Sequence, residues 1–346
     1  MATAGFRGRR ALLTGLTGQD GSFLAELLLE HGYEVTAAVR RQPSDSLGAA
    51  EHLRGRVKLV RGELLDPSCL TAAVARTQPD ELYHLAAPSF VPESWQRPAR
   101  TLAAITESTA VLLEAVRDHS PQTRVLVAAS GEMFGDAPES PQREDTPCRP
   151  RSPYATAKLA AHNLVGQLRE RNQLFACSAI FYNHESERRP ESFVSRKITR
   201  AAAAIKLGLQ TEVLLGDLTA VRDWSFAGDI VRGAWLMLQQ ERPEDFILAS
   251  GVAHTVAELA EIAFAHVGLE ARKHIRVDPS LVRAAEAVPQ VGDPTRARTE
   301  LGWEPSVTFE ELVQRMVDAD LAALRQADGR GGALTPTDRD PRRQNA

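Results

Sequence analysis

The chain has 346 residues, 43% hydrophobic and 25% charged, with 41 Lys and Arg against 45 Asp and Glu and a formal charge of −4. A composition of this kind is that of a globular protein, and the length exceeds what one hydrophobic core usually supports. The basic residues are scattered rather than gathered into a stripe, which argues against nucleic acid as a partner.

In chain order, residues 11–13 read as a strand, and Phe23, Leu24, Leu27 and Leu28 mark one face of the helix that follows. Thr14-Gly15-Leu16-Thr17-Gly18-Gln19-Asp20-Gly21 lies between them. Glycines there permit a tight turn and let backbone approach a pyrophosphate, whose charge a helix N-terminus favours. A dinucleotide site is the reading, with a plain turn as the alternative. The second strand, 34–39, runs into Arg40-Arg41. A site for NAD usually carries a carboxylate here, whereas a guanidinium binds a ribose 2′-phosphate. NADP is therefore expected, two solvated arginines being the alternative.

Residues 57–60, 81–85 and 124–128 continue the strand series, separated by helical segments. Strands alternating with helices imply a parallel sheet covered on both faces, so the class is α/β. The strand at 124–128 leads into Ser130-Gly131-Glu132, at the carboxyl end of the sheet where doubly wound folds bind ligands. Tyr154 and Lys158 stand four residues apart and share a helix face. An ammonium beside a phenol favours the phenolate, and the pair becomes an acid–base catalyst for hydroxyl-to-carbonyl conversion. Ser130 is placed to hydrogen-bond the reacting oxygen. Glu132 is more telling, since a plain alcohol dehydrogenase needs no second base; a carboxylate capping a turn is the alternative.

After residue 181 the rhythm is less regular. A charged loop leads to a helix near 192–207, a strand near 212–215 and a helix after Ala227. Thr308-Phe309-Glu310-Glu311 is a capping-box pattern opening a helix with the stripe Phe309, Leu312, Val313, Met316 and Val317. Gly, Pro, Asp and Arg dominate 328–346, a composition of disorder. Cys69, Cys148 and Cys177 form no C-x-x-C pair, so no disulfide framework and no metal site are expected. The apolar run after the basic start is broken by Thr14-Gly15, and no stretch approaches the ~20 residues of a membrane helix. A soluble, cytoplasmic protein without a membrane partner is expected.

Taken in order, these motifs resemble the GDP-mannose 4,6-dehydratase family, in the nucleotide-sugar branch of the extended short-chain dehydrogenases/reductases, over most of residues 10–323. The turn with its Gln19-Asp20 pair, Arg40-Arg41, Leu85-Ala86-Ala87 with Ser89, Arg151-Ser152-Pro153-Tyr154-Ala155-Thr156-Ala157-Lys158, Asn183-His184-Glu185-Ser186, Arg222-Asp223-Trp224, Gly292-Asp293-Pro294 and Leu301-Gly302-Trp303 carry the likeness. It implies a Rossmann-type doubly wound parallel sheet with a smaller, mixed α/β C-terminal substrate lobe. Residues 1–180 are expected to form the NADP-binding domain, with 223–250 returning to it, and 181–222 with 251–327 the substrate lobe.

The resemblance implies cofactor contacts at Gly15, Thr17, Gly18, Gln19, Asp20, Gly21, Arg40, Arg41, Glu63, Leu64, Leu85, Ala86, Ala87, Ser89, Tyr154, Lys158, His184 and Arg189. It implies substrate contacts at Asn183, Arg222, Arg283 and Glu286, with GDP-mannose as the substrate and a homodimer or homotetramer as the assembly. In the implied reaction Tyr154, aided by Ser130, takes the proton of the sugar's 4-hydroxyl. Glu132 removes the hydrogen on carbon 5 and assists water leaving carbon 6, Lys158 tunes Tyr154, and the product is a 4-keto-6-deoxy sugar without net redox. The chain departs from the family at Ser130-Gly131, where Thr-Ser is usual, and at Glu63, where an aspartate usually meets adenine. Pro88 and Phe90 replace polar residues, and Val221, Ser225, Phe226 and Ala284 differ around the expected diphosphate contacts. A reductase or epimerase of the same fold would share Tyr154 and Lys158 without needing Glu132 as a base. A non-catalytic NADP-binding sensor would have no use for a tuned phenol.

Overall fold

The computed structural model describes residues 6–40, 45–281 and 288–329. Arg41, Arg283 and Glu286, Ala284, and the expected tail beyond residue 329 lie outside the described residues.

The first half alternates strand and helix: β1 (Arg10–Thr14), α1 (Gln19–Glu30), β2 (Glu34–Val39), β3 (Lys58–Arg61), α2 (Pro67–Thr77) and β4 (Glu81–His84). A broken helical run follows, α3 (Val91–Gln96), α4 (Pro98–Leu102) and α5 (Ser108–His119), then β5 (Arg124–Ser130), α6 (Pro153–Asn172) and β6 (Ala176–Phe181). Next come β7 (Asn183–Glu185), α7 (Val194–Lys206), β8 (Val213–Leu215), β9 (Val221–Phe226), α8 (Ala227–Met237) and β10 (Phe246–Leu248). The chain continues through β11 (Ala253–Thr255), α9 (Val256–His266), α10 (Ala271–His274), β12 (Ile275–Val277), α11 (Thr295–Leu301) and α12 (Phe309–Gly329).

Among the described residues, seven strands form one parallel sheet in the order β10-β6-β5-β4-β1-β2-β3. The order reverses between β1 and β4, the switch point at which doubly wound sheets open a crevice. Each face is covered. Leu24, Leu28, Ile230, Ala234 and Phe246 pack on one side with Leu13 and Leu126. Leu70, Val74, Leu112, Val116 and Val165 pack on the other with Leu12 and Val125. Burial on both faces explains why β1 and β5 are unbroken apolar runs rather than alternating ones. The fold is the Rossmann-type doubly wound class expected. Two smaller sheets accompany it: β9 between antiparallel β11 and parallel β7, and β8 with β12. No helix among the described residues is long and apolar enough to cross a membrane.

Local chemistry sets the boundaries. Asp66 caps α2, accepting from the Cys69 amide, and Pro67 opens it. Ser152 caps α6 in the same way ahead of Pro153, which fixes where Tyr154 enters the helix. The Thr308–Glu311 box forms as read, with the Thr308 amide donating to Glu311 at 2.9 Å and the Glu311 amide to Thr308 at 3.3 Å. Two strands of the seven-stranded sheet, β6 and β10, escaped the sequence reading, as did β7, β9, β11 and β12 of the smaller sheets. β10 has three residues, and β6 (Ala-Cys-Ser-Ala-Ile-Phe) carries one β-branched side chain, so neither stands out from a buried helix segment.

Candidate active site

The glycine turn is shaped by contacts that no side chain would tolerate. Gly15 has φ +86°, and a Cβ there would stand 2.9 Å from the Ala86 amide nitrogen. At Gly21 a Cβ would lie 2.1 Å from the Gly15 carbonyl oxygen. These contacts draw the start of α1 against the end of β1 and against the loop after β4. Gly18, at the N-cap of α1, provides no side-chain cap, and a Cβ there would meet only the Gly15 carbonyl, at 3.5 Å. The first amides of α1 therefore open onto a cleft of about 870 Å³ at the carboxyl ends of β1, β4 and β5. A helix N-terminus with bare amides facing such a space suits a pyrophosphate.

The same cleft is lined by Gly15, Thr17, Gly18, Gln19, Asp20, Gly21, Arg40, Glu63, Leu64, Leu85, Ala86, Ala87 and Ser89. Ser130, Glu132, Tyr154, Lys158, Asn183, His184 and Arg189 line it too, so the structure gathers nearly every site residue expected from the sequence. Arg222 is not among the lining residues; it sits on β9, bridged to Gln290, which is. Among the described residues no cluster of His, Cys, Asp and Glu is arranged to hold a metal ion.

The Gln19-Asp20 pair does more than face the cleft. The Asp20 carboxylate lies 3.0 Å from His184 Nε2, and His184 Nδ1 donates to the Tyr182 carbonyl at 2.7 Å. The Gln19 amide donates to the His184 carbonyl at 3.1 Å and accepts from Ser186 at 2.7 Å. Arg188 spans from the Ser22 hydroxyl to Glu26 and lies over the Phe23 ring. Together they bind the segment after β6 to the first turns of α1. Burial works against the charge on Asp20, but His184, Gln19 and Arg189 outweigh it and hold its pKa at about 2. Burial likewise opposes the imidazolium of His184, and Asp20 overcomes it, raising that pKa above the usual value.

A second relay joins β1, β4 and the helical run. The Ala86 amide donates to the Thr14 hydroxyl at 3.1 Å, and Thr14 meets His84 Nδ1 at 2.8 Å. His84 Nε2 meets Ser108 at 3.1 Å, and Ser108 donates to the Ala104 carbonyl at 2.7 Å. Each donor has one acceptor when His84 carries its proton on Nε2, which assigns the neutral tautomer. Burial, with the Lys158 charge second, lowers the His84 pKa to about 3. Ser108 follows a single π-helical turn, Ala103–Glu107, from which Thr106 donates to the Ala157 carbonyl at 3.1 Å, between Tyr154 and Lys158.

Tyr154 and Lys158 are buried on one face of α6, with Lys158 Nζ 5.8 Å from the Tyr154 ring centroid. The expectation that the ammonium lowers the phenol's pKa is not met in this state. Burial dominates and raises Tyr154 to about 12; a hydrogen bond from Ser130 works downward and the Glu132 charge upward. Lys158 is spent on the Ala128 carbonyl, 2.6 Å away, and burial lowers its own pKa to about 8. The Ser130 hydroxyl accepts from the Glu132 amide at 3.3 Å, so the short turn after β5 fixes both side chains beside Tyr154. Arg189 pairs with Glu185 at 3.1 Å and lies over Phe193. A phenol, a hydroxyl, an ammonium and a carboxylate thus line the same cleft as the glycine turn, which is an arrangement for moving protons on a hydroxylated ligand.

The sequence reading missed six polar lining residues: Ser46, Glu93, Arg97, Arg100, Tyr182 and Gln290. Glu93, Arg97, Arg100 and the lining Ala104 are spaced four, three and four apart, a helix-face signal present in the sequence. Gln290 had no local signal, since β9 brings it to the cleft.

Comparison with known proteins agrees with this geometry. A family model described as GDP-mannose 4,6 dehydratase matches residues 12–316. GDP-mannose 4,6 dehydratase 1 of Arabidopsis thaliana is 46% identical over 91% of this chain and 91% of its own length. The human GDP-mannose 4,6 dehydratase is 41% identical over 91% of this chain and 92% of its own. Among solved structures, RMD from Pseudomonas aeruginosa in complex with NADPH superposes with a TM-score of 0.76 at 26% identity, covering 91% of this chain and 99% of that one. With a glycine turn, a Tyr154–Lys158 pair and Glu132 in one cleft, and with matches of this extent, the chain belongs to the GDP-mannose 4,6-dehydratase family.

Proposed function

We propose that this chain is a nucleotide-sugar 4,6-dehydratase that converts GDP-mannose to GDP-4-keto-6-deoxymannose, with NADP as its cofactor. The observation that carries the reading is Glu132, held by the turn after β5 in the same cleft as Ser130, Tyr154 and Lys158. Oxidation or reduction alone uses the phenol and the ammonium; elimination also needs a base for a carbon-bound hydrogen.

A bound nicotinamide dinucleotide supplies acceptance of one hydride from carbon 4 and its return to carbon 6. The protein's residues manage the protons. Tyr154 reacts as its phenolate, the minority form while burial holds the phenol at about 12, and takes the proton of the 4-hydroxyl, with Ser130 hydrogen-bonded to the same oxygen. The 4-ketone acidifies the hydrogen on carbon 5, which Glu132 removes and passes to the departing 6-hydroxyl, so water leaves. A solvent-exchanged proton re-enters at carbon 5 as carbon 6 is reduced, the proton taken by Tyr154 returns to solvent, and the net redox change is zero. Lys158, held by the Ala128 carbonyl, keeps a positive charge near the phenol below its own pKa of about 8. Gly15 and Gly21 support the choice of a dinucleotide because only without side chains can the turn close so tightly onto the Ala86 and Gly15 backbone, and Gly18 leaves the first amides of α1 bare for a pyrophosphate. Arg40, at the end of β2, suits a 2′-phosphate. Glu63, Leu64, Leu85, Ala86, Ala87 and Ser89 suit the remainder of the cofactor. Asn183 and Arg222 are the substrate contacts of this reading, with Arg283 and Glu286 assigned there by resemblance. We assign 1–180 with 223–250 to cofactor binding and the remaining C-terminal segments to the substrate, in a cytoplasmic homodimer or homotetramer.

GDP-mannose deuterated at carbon 4 tests the proposal. The label is expected at carbon 6 of the product without added reductant, and in heavy water one solvent deuteron at carbon 5. Glu132→Gln is expected to halt the cycle after the 4-hydroxyl is oxidised. Label retained at carbon 4, or stoichiometric consumption of added NADPH, would replace this reading with a reductase or epimerase.

A further inference from the structure

We infer that Arg97 and Arg100 form a side-chain clamp on the cofactor's pyrophosphate, facing the glycine turn across the cleft. The inference rests on the dinucleotide reading of the cleft and adds a second wall to it.

The helical run after β4 presents Glu93, Arg97, Arg100 and Ala104 to the cleft. The run is broken at Arg97, whose φ of −135° and ψ of 57° are set by the following Pro98, since a residue before proline is pushed out of the helical region. α3 and α4 both pack on α6, the helix that carries Tyr154 and Lys158. At its other end the run leaves β4, the neighbour of β1, through the Ala86 backbone against which Gly15 packs. The two arginines therefore stand on the wall between the glycine turn and the Tyr154 helix, alongside the middle of any dinucleotide lying in the cleft.

Their availability is the second observation. Among the described residues neither guanidinium has a hydrogen bond or an ion-pair partner, although Glu93 stands one turn before Arg97 and also lines the cleft. The other cleft cations with known partners are already engaged: Lys158 with the Ala128 carbonyl, and Arg189 with Glu185. Two exposed, uncompensated guanidiniums three residues apart repel each other until an anion lies between them, and a guanidinium fork matches phosphate oxygens well. The glycine turn offers a pyrophosphate backbone amides, the helix dipole and the Thr17 hydroxyl, but no cation. A charged clamp opposite would slow release, which matters for the proposed reaction. A dinucleotide that left between the two hydride transfers would strand the sugar as its 4-keto form.

The test is cofactor binding without any sugar. NADPH affinity by calorimetry and its release rate by stopped-flow fluorescence are compared for wild type and Arg97→Ala/Arg100→Ala, with the thermal midpoint as a check on folding. Loss of charge-assisted bonds is expected to weaken binding by about tenfold or more, mostly through faster release. NADH and ADP should lose a similar factor, because the pyrophosphate is common to all three. The dependence of affinity on salt should become shallower, and Arg97→Lys/Arg100→Lys should recover part of the loss. Unchanged release, an effect confined to NADPH and absent for NADH, or a raised KM for GDP-mannose with unchanged cofactor binding would each overturn the clamp. Failure of the wild type to bind any dinucleotide would overturn the cofactor reading itself, a result distinguishable from all of these.

Discussion

Asp20 and His184 form an ion pair of 3.0 Å between residues 164 positions apart in the chain, and each holds the other charged. Asp20→Asn removes the carboxylate that raises the imidazole's pKa, so His184 is expected to titrate at lower pH, as followed by its ring-proton NMR shifts. The protein should lose about 1–3 kcal/mol of stability, in the range for a buried charged hydrogen bond. Because the folded pKa of His184 is raised, its contribution is complete below pH about 6.5 and fades as pH rises through the folded value. The stability gap between wild type and variant should narrow over that interval. A gap that widens with rising pH contradicts the pairing.

Tyr154→Phe keeps the buried ring and removes only the hydroxyl. Turnover is expected to fall by roughly 10²–10⁴, with the thermal midpoint little changed. Activity within a few-fold of wild type removes Tyr154 from the proton path.

Lys158 titrates lower in the folded protein, at about 8, than its ordinary value of 10.5, because burial penalises its charge. Between those values the unfolded chain binds the extra proton, so this group makes stability rise with pH. Lys158→Met lacks that rise. The stability of the variant relative to wild type should fall steadily between pH 8 and pH 10.5 in denaturant titrations. Parallel pH profiles would show that Lys158 is solvated.

Arg40→Glu places a carboxylate at the end of β2. NADP affinity should drop by about tenfold or more while NAD affinity changes little or improves. Equal wild-type affinity for both dinucleotides, measured by calorimetry, defeats the assignment.

The local features of the site were legible in the sequence because they are matters of spacing and turn chemistry. The glycine turn, the four-residue offset of Tyr154 and Lys158, and the α12 capping box all appear where the pattern puts them. What depends on the three-dimensional surroundings did not appear. The spacing of Tyr154 and Lys158 gave their shared face but not their burial, which reverses the expected shift of the phenol. Gln19 and Asp20 read as part of a nucleotide turn; their bonds to His184 and Ser186 cross more than 160 residues and leave no mark in the sequence. Arg97 and Arg100 carried a visible periodicity, yet only the fold shows which side of the helix faces ligand.

The π-helical turn at Ala103–Glu107 acts as a phase setting for the wall above it. Each residue of an α-helix advances the side chains by about 100°. Five residues at the wider π pitch turn the chain about as far as four at α pitch, so the turn absorbs one residue and keeps α4 in phase with α5, whose Ser108 is tied to His84. Deleting a residue outside it, between Arg100 and Ala103, would rotate everything upstream by about that angle. Glu93, Arg97 and Arg100 would swing off the cleft with their identities intact. The number of residues between Arg100 and Ala103 is thus as much a part of the site as the side chains it aims, and a one-residue gap there would disarm a homologue that keeps both arginines.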